Sequence, residues 1–459
     1  MPVRAIHLPR CWLAVAALAS LCGAAAGQAP SRRSALDRAA QLPADPRQNQ
    51  GALPVQAQAP TAQGIVSGPF NLLQISTDLM TAVGTSTEPD RVVQQLQGGH
   101  HDPRKRGFTL QQAEVQITGA IDPYFRGQFV MVTSLDAETG ESIFEIEEAW
   151  LTTQQLPANL LLRAGVYLTD FGRVNSVHPH QWDFMDQPVM HTRLFGEDGM
   201  RAPGARLAWL LPTATYCEAI LGAQNANGET MHSFLSSDES YAERPLGGRA
   251  FADDGQQVRT LGDVVWNARL ASAVDFDDSH TLGGGISGLF GPNATGLGAD
   301  TVIYGADLMF RWRPVDNRRG YPFFKVQGEV LGRSFLAAEQ TDVTDPDNPL
   351  TVQRQTLDDY GGYLYAAWGF DVGWAVALRG EYATGRGGSY VGNGAFDRAQ
   401  DPFRADRIRW SPMLSWQTSE YSRVRLQYNL DRSDDLDRTA HSVWLNFEIL
   451  IGPHLPHSY

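Results

Sequence analysis

Histidines lie close to an acidic residue at two places in the sequence, a combination that could bind a metal ion. The two groups are His100 and His101 with Asp102, and His178, His180 and His191 with Asp183. Two imidazoles with a carboxylate as third ligand are typical of zinc sites. Histidines between strands are more often hydrated than bound to metal, so we predict no metal site and no cofactor. A zinc site at either group is the alternative.

Catalytic motifs are missing from the sequence. It contains no G-x-S-x-G, no H-E-x-x-H, no phosphate-binding loop and no paired C-x-x-C. His441 and Ser442 are neighbours in the chain, but adjacent residues of a strand point to opposite faces. We therefore predict that the protein is not an enzyme.

Most of the chain consists of segments in which apolar and polar residues alternate, as in residues 323–332 and 423–431. This is the period of a strand with two different faces. Sixteen such segments are centred near Ile75, Val115, Phe129, Ala149, Leu162, Leu207, Ala219, Leu270, Ile286, Leu308, Val326, Leu364, Leu378, Trp410, Leu426 and Phe447. Long and short connections alternate between them, as in bacterial outer-membrane barrels. The sequence thus predicts an all-β fold, a transmembrane antiparallel β-barrel of about 16 strands.

If the apolar residues face lipid, the charged residues between them face the lumen. The predicted pore-lining residues are Arg126, Arg163, Arg269, Arg311, Lys325, Glu329, Arg379, Glu381, Arg407, Arg409, Arg423 and Arg425. The last four lie on two neighbouring strands and could attract anions. Alternatively, many of these charges pair across strands and only form a hydrated ladder.

The composition and the N-terminal sequence predict the rest of the domain organisation. The formal charge of −14 argues against a nucleic-acid partner, and no stretch after the N-terminus approaches the roughly 18 apolar residues of a membrane helix. Residues 1–26 are predicted to be a signal peptide, because basic residues precede an apolar run and a small-residue site. Residues 27–66, rich in Ala, Gln and Pro, are predicted to be a disordered periplasmic linker. Residues 67–459 would then form a barrel in the bacterial outer membrane.

One stretch resembles a known family more specifically. A strand carrying R-x-G leads to an F-G corner, a long inserted loop and the next strand, with Arg163, Gly165, Phe171 and Gly172 at the motif positions. This resembles the phosphate-selective porin (O/P) family, which implies a passive outer-membrane channel. The loop lacks the unbroken lysine and arginine series of that family, so phosphate selectivity is not implied. The local amino-acid sequence is also similar to that of outer-membrane proteins labelled zinc-regulated receptors. That label implies energised uptake.

The connection from residue 169 to 201 carries large apolar side chains that would be poorly placed in water. We expect it to fold into the lumen as a constriction formed by Trp182, Asp183, Phe184, Asp186, Arg193 and Glu197. The predicted function is a porin that gives passive diffusion of small hydrophilic or ionic solutes. A metal (zinc)-related outer-membrane channel or receptor and a non-conducting structural or adhesin barrel are the alternatives.

The expected partners follow from the barrel. They are outer-membrane lipid, small hydrophilic or ionic solutes, and the barrel-assembly machinery, which would read the C-terminal strand and its terminal aromatic Tyr459. A homotrimer could form along the small lipid-facing residues Gly284 and Gly288.

Overall fold

The computed structural model describes most of the chain from Leu73 to Gly452. It describes residues 73–452 apart from 138, 238–239, 241–257, 297, 343–346, 348–349, 388, 392–393 and 397–402. The predicted signal peptide, the predicted linker and Tyr459 lie outside the described residues.

Sixteen antiparallel strands form one closed barrel, in which each strand pairs with its neighbour in the chain and the last pairs with the first. They are β1 (Leu73–Ser86), β2 (Gly107–Ala120), β3 (Phe125–Leu135), β4 (Ser142–Thr153), β5 (Leu160–Leu168), β6 (Arg201–Leu210), β7 (Tyr216–Asn225), β8 (Val264–Asp275), β9 (His280–Pro292), β10 (Asp300–Trp312), β11 (Phe323–Ala337), β14 (Gln355–Asp371), β15 (Trp374–Arg386), β18 (Arg407–Ser419), β19 (Ser422–Ser433) and β20 (Ala440–Ile451). Every predicted strand centre falls inside one of them. The predicted fold class and strand number are confirmed.

In the connections, the described residues form two small hairpins and two short α-helices. The hairpins pair β12 (Gln340–Asp342) with β13 (Leu350–Val352), and β16 (Ser389–Val391) with β17 (Gly394–Phe396). The helices are α1 (Asp90–Leu96) and α2 (Val189–Phe195), and single 3-10 turns cover Pro157–Asn159 and Pro179–Gln181. Over the part of the chain that the structure describes, no helix has the length and apolar content needed to cross a membrane.

The outer surface of the barrel is apolar because the strands alternate as the sequence predicts. Leu364 on β14 and Leu426 on β19 are 61% and 44% exposed, whereas their neighbours Tyr363 and Arg425 are buried inside the barrel. An apolar outer surface on a closed barrel is the form required by a lipid bilayer, since closure leaves no strand edge unpaired. The protein is thus an outer-membrane type of barrel, and its packed core lies in the lumen.

Connections at one end of the barrel are short turns, such as residues 372–373 and 420–421. At the other end, residues 87–106 and 169–200 form long connections. Short turns of outer-membrane barrels face the periplasm and long loops face outward. The predicted alternation holds along the chain, although the turn 313–322 is longer than some outer connections.

Strand β4 contains a β-bulge, which breaks the alternation locally. Glu148 pairs with Val130, but Met131 pairs with Ile146, so Glu147 is an extra residue without a partner on β3. A bulge places two successive residues opposite one and turns the side chains that follow. As a result Glu147 and Glu148 are both buried in the lumen, each only 3% exposed.

Candidate functional site

The connection between β5 and β6, residues 169–200, folds into the barrel, and we refer to it as the lumen loop. Its apolar side chains are buried rather than hydrated, with Leu194 of α2 fully covered and Phe184 2% exposed. Leu194 belongs to a packed cluster with Ile303 of β10 and Leu331 of β11. Phe184 packs in a second cluster with Tyr363 of β14. The loop therefore fills part of the lumen and reaches several strands of the wall.

Glu329 of β11 holds the beginning of the lumen loop. Its Oε1 accepts hydrogen bonds from the backbone N–H of Arg173 and Val174, at 3.1 and 3.0 Å, and from the hydroxyl of Tyr363 at 3.0 Å. Gly172 has a φ of 59°, and a Cβ at this position would collide with Glu329 Oε2. The F-G corner of the sequence motif thus needs its glycine for close approach to this carboxylate.

Asp186 is the main ionic anchor of the lumen loop. Its carboxylate accepts hydrogen bonds from Arg379 and Arg409, the latter at 3.0 Å, and from the amides of Gln427 and Asn429 at 2.9 and 2.8 Å. Burial alone would raise the pKa of Asp186, but the two guanidinium groups outweigh burial and lower it. The residue is fully buried, and it joins the loop to β15, β18 and β19.

Arg423 and Arg425 of β19 hold the loop through its backbone. Arg423 donates to the carbonyl of His180 at 3.0 Å, and Arg425 donates to the carbonyl of Phe184 at 2.9 Å. Both also pair with Glu448 of β20, at 2.6 and 2.9 Å. We call the lumen face formed by Arg379, Arg409, Arg423 and Arg425 the basic wall.

The four arginines predicted to form a positive group, Arg407, Arg409, Arg423 and Arg425, are all paired with carboxylates. Arg407 and Arg409 both bind Asp431, at 2.7 and 2.9 Å, and Arg409 also binds Asp186. Because Arg423 and Arg425 share Glu448, every member has a carboxylate partner. These carboxylates reduce the positive charge of the group, and whether the four residues attract anions stays a prediction.

The other predicted pore-lining residues also lie on the lumen side of their strands. Arg163 stacks on Trp150 with 4.0 Å from Cζ to the ring centroid, Arg269 pairs with Asp307 at 2.6 Å, Lys325 pairs with Asp183 at 2.6 Å, and Glu381 accepts the backbone N–H of Val189 at 2.7 Å. Arg126 and Arg311 lie beside the periplasmic turns, away from the lumen loop. Whether these residues line a conducting path stays a prediction.

Asp183, Arg193 and Glu197 of the predicted constriction extend away from Asp186 in different directions. Asp183 lines a cavity of about 20 Å³ between the loop and the wall, together with Lys325. Arg193 donates to the carbonyl of residue 405 at 2.7 Å. Glu197 pairs with Arg104 of the β1–β2 connection at 2.5 Å, and Trp182 is buried beside Phe184. These side chains are brought into the lumen, but they do not converge on one point.

Opposite charge lines the first strands of the barrel. Asp78 of β1, Glu114 of β2, and Glu145, Glu147 and Glu148 of β4 are on the lumen side, and all but Glu145 are at most 3% exposed. We call this surface the acidic wall. Two outer connections bring histidines to it.

His178 and His180 of the lumen loop contact the acidic wall directly. The Nδ1 of His178 lies 2.7 Å from Glu147 Oε2, and its Nε2 lies 3.3 Å from Glu148 Oε2. The Nδ1 of His180 lies 3.2 Å from Glu114 Oε2. Both histidines are buried, so the expectation that they are hydrated is wrong.

His100 and His101 approach the same wall from the β1–β2 connection. His101 Nε2 lies 3.2 Å from Glu147, and His100 Nδ1 lies 3.0 Å from Asp198 and 3.5 Å from Glu145. Burial alone would lower the pKa of His100, but hydrogen bonds to the two carboxylates outweigh it and raise that pKa to about 10. His100 is therefore a cation at neutral pH.

The acidic residues suggested by sequence proximity have other partners. Asp102 accepts backbone N–H groups from Gln187 at 2.8 Å and Gly99 at 2.9 Å, so it ties the β1–β2 connection to the lumen loop. Asp183 pairs with Lys325. The carboxylates that face the histidines come from strands instead. Strict alternation would place Glu147 on the lipid face, and only the unusual run of three acidic residues within 145–148 signals an irregularity there.

The chain is similar to one curated protein and to several solved structures. No family model matches the chain. A protein of Aquifex aeolicus described as uncharacterized is 28% identical over 382 residues, which cover 79% of this chain and 73% of that protein. Among solved structures, the anion-selective porin from Comamonas acidovorans has a TM-score of 0.50 at 10% identity, over 83% of this chain and 99% of that chain. The outer-membrane channel DcaP of Acinetobacter baumannii has a TM-score of 0.49 at 8% identity, over 83% and 97%.

Proposed function

We propose that this barrel is a porin that lets small hydrophilic or ionic solutes diffuse passively through the outer membrane. The observation that carries the proposal is the lumen loop, which crosses the barrel between the acidic wall and the basic wall. A barrel of sixteen strands is wide enough to leave an aqueous channel, and an inserted loop narrows it. The conducting path would run beside the loop, where the side chains of both walls set the preference for ions.

The charge arrangement supports passage of small polar solutes rather than of apolar ones. On one side of the loop its own His178 pairs with Glu147, and on the other side Arg423 and Glu448 face the loop. Such paired charges of both signs place oriented dipoles across the lumen. A solute that crosses must exchange its hydration for these groups, which favours small charged or zwitterionic molecules.

The gaps beside the loop bear on solute size. The cavity lined by Asp183, Lys325 and Arg423 has a volume of about 20 Å³, which is room for about one water molecule. Beside Asp183 the path would therefore be narrow. The resemblance to the phosphate-selective porin family is part of this proposal, but without the phosphate preference.

A second candidate is a barrel that the lumen loop holds closed. The full burial of Asp186 and Arg425 favours it, because a loop packed this tightly against both walls acts as a plug. A homotrimer and assembly through the C-terminal strand stay predictions under either candidate.

Single-channel conductance of the refolded barrel in planar bilayers tests the proposal. We expect discrete conductance steps that scale with salt concentration, and larger steps with weaker ion selectivity when residues 179–190 are deleted. Deletion of Ser389–Phe396, which removes the β16–β17 hairpin of an outer connection, is the matched control and should leave the steps unchanged. Conductance steps that appear only when residues 179–190 are deleted would favour the closed barrel. If neither folded protein conducts, the barrel is not a porin.

A further inference from the structure

We propose that two residues of the acidic wall, Glu114 and Glu147, and two of the lumen loop, His178 and His180, form a binding site for a divalent transition-metal ion. This site is independent of whether the barrel conducts. It lies at the seam between the loop and strands β2 and β4.

The ligand atoms already converge. One ligand atom each of His178, Glu114 and Glu147 lies within 4.8 Å of the others, and all three residues are buried. His178 Nδ1 is 2.7 Å from Glu147 Oε2 and 3.6 Å from Glu114 Oε2. His180 Nδ1 is 3.2 Å from the same Glu114 oxygen. Two imidazoles and two carboxylates supply the four donors of a tetrahedral site.

Glu148 orients the first histidine as outer partners do in metal sites. Its Oε2 lies 3.3 Å from His178 Nε2, so it can accept a hydrogen bond from the Nε2–H and leave Nδ1 to bind a metal. The His178 and His180 rings also stack, with centroids 5.8 Å apart and planes 7° apart. The two rings are therefore held in place before any ion arrives.

A buried carboxylate, Asp78, lies beside these ligands. Asp78 is 3% exposed, and neither of its side-chain oxygens accepts a hydrogen bond from any residue that the structure describes. It pairs across strands with Glu114 and interacts electrostatically with both Glu114 and His180. A buried carboxylate without hydrogen bonds is costly. A divalent ion bound to Glu114 would offset that cost.

The bulge in β4 supplies the decisive ligand. Without the extra residue, Glu147 and Glu148 would point to opposite faces, and one of them would lie in lipid. The bulge places both in the lumen, where Glu147 faces the site and Glu148 supports His178. Bulges of this kind often lie next to functional sites.

The donor set selects the class of ion. Imidazole nitrogens suit Zn²⁺ and other first-row transition metals, whereas Ca²⁺ and Mg²⁺ are bound almost entirely by oxygen. The neighbouring group of His100, Glu145 and Asp198 is a weaker candidate. There Arg201 already pairs with Glu145 at 2.5 Å, and Ser134 lies 2.9 Å from His100 Nε2.

Titration of the refolded, chelator-treated barrel with Zn²⁺ and with Co²⁺ tests the site. The reference protein carries no histidine tag and has His454→Gln and His457→Gln, so that the terminal histidines do not contribute. We expect one equivalent of Zn²⁺ to bind, and Co²⁺ to give the visible absorption of a four-coordinate site with nitrogen and oxygen ligands. A large excess of Mg²⁺ should not compete.

Four variants assign the ligands. Glu147→Gln and His178→Gln should each weaken Zn²⁺ binding at least 100-fold, and Glu148→Gln, which only positions His178, about 10- to 100-fold. Glu145→Gln should bind like the reference, because it belongs to the other group. Folding of each variant is checked by its heat-modifiable migration in gels.

The measurement on the reference protein can refute the proposal by itself. The proposal therefore stays testable even if a variant fails to fold. Absence of stoichiometric Zn²⁺ binding to the folded reference would refute the site. Reference-like affinity in folded Glu147→Gln or His178→Gln would refute the assigned ligands. Loss of binding in Glu145→Gln alone would move the ion to the His100 group and would also contradict the proposal.

Discussion

The basic wall and the acidic wall hold the two sides of the lumen loop by different chemistry. On the basic wall, Arg379 and Arg409 bind the single carboxylate of Asp186, and Arg425 binds a backbone carbonyl of the loop. On the acidic wall the charges are reversed, because the strands supply carboxylates and the loop supplies imidazoles such as His178. The same loop is therefore an anion toward one wall and a cation toward the other.

This difference determines which side responds to solution conditions. Guanidinium groups stay charged at any ordinary pH, so the contacts of Arg379 and Arg409 with Asp186 are permanent. Imidazoles change their charge and can exchange a proton for a metal ion. We infer that the basic wall is the fixed anchor of the loop and that the acidic wall is its adjustable side.

The largest effect on the free energy of unfolding should come from Asp186, which the basic wall holds. Asp186→Ala removes the only loop carboxylate that binds Arg379 and Arg409. It also takes away the acceptor of the Asn429 amide and one of the two acceptors of the Gln427 amide. We expect the free energy of unfolding to fall by about 3 to 5 kcal/mol, the cost of breaking a buried ion pair from one side. Urea-induced unfolding of the refolded barrel in lipid vesicles measures it. An effect below 1 kcal/mol would show that the basic wall does not anchor the loop.

An intermediate effect, and one that depends on pH, should come from His100. Its pKa is raised to about 10 in the fold, from an ordinary value near 6.5. The stability that its charge contributes is fully present below pH 6.5 and is lost as the pH rises through about 10. His100→Gln should therefore cost about 1.5 to 3 kcal/mol at pH 6, the range for hydrogen bonds to charged groups, and little above pH 10.

The same urea experiment at several pH values provides the comparison. Between pH 6 and pH 10 the loss of unfolding free energy in Asp186→Ala should stay constant, since the arginine partners of Asp186 do not titrate. A cost of His100→Gln that did not vary with pH would remove the distinction between a fixed and an adjustable wall.

The smallest effect should come from Asp183, which faces the cavity beside the loop. Its side chain is 18% exposed, and its partner Lys325 is 11% exposed. Because water screens such a pair, Asp183→Asn should change the free energy of unfolding by only about 0 to 1 kcal/mol. A loss as large as that of Asp186→Ala would mean that the loop is anchored along its whole length rather than at one residue.

The barrel could be predicted from the sequence because lipid imposes a simple rule on every strand. Leu364 and Leu426 must face the bilayer, so the apolar positions repeat at every second residue and reveal the strands. The same rule places Arg423 and Arg425 in the lumen. It applies to each strand separately and needs no knowledge of its neighbours.

The contacts within the lumen could not be predicted in the same way. Glu147 was missed because a bulge interrupts the alternation, and nothing in the sequence alone locates a bulge. The partners of Asp186 lie on three strands that follow it at a great distance in the chain. His178 and His180 were recognised as possible ligands, but their carboxylates come from β2 and β4 rather than from the neighbouring loop residues.

The long reach of the lumen loop also has a consequence for folding kinetics. Asp186 and Gln427 are 241 positions apart, and Val189 and Glu381 are 192 positions apart. These contacts require β15 and β19 to be in place, so the loop can dock only late in folding. Interactions that form after the transition state slow unfolding without speeding folding. The docked loop should therefore slow unfolding of the completed barrel and lengthen its lifetime in the membrane.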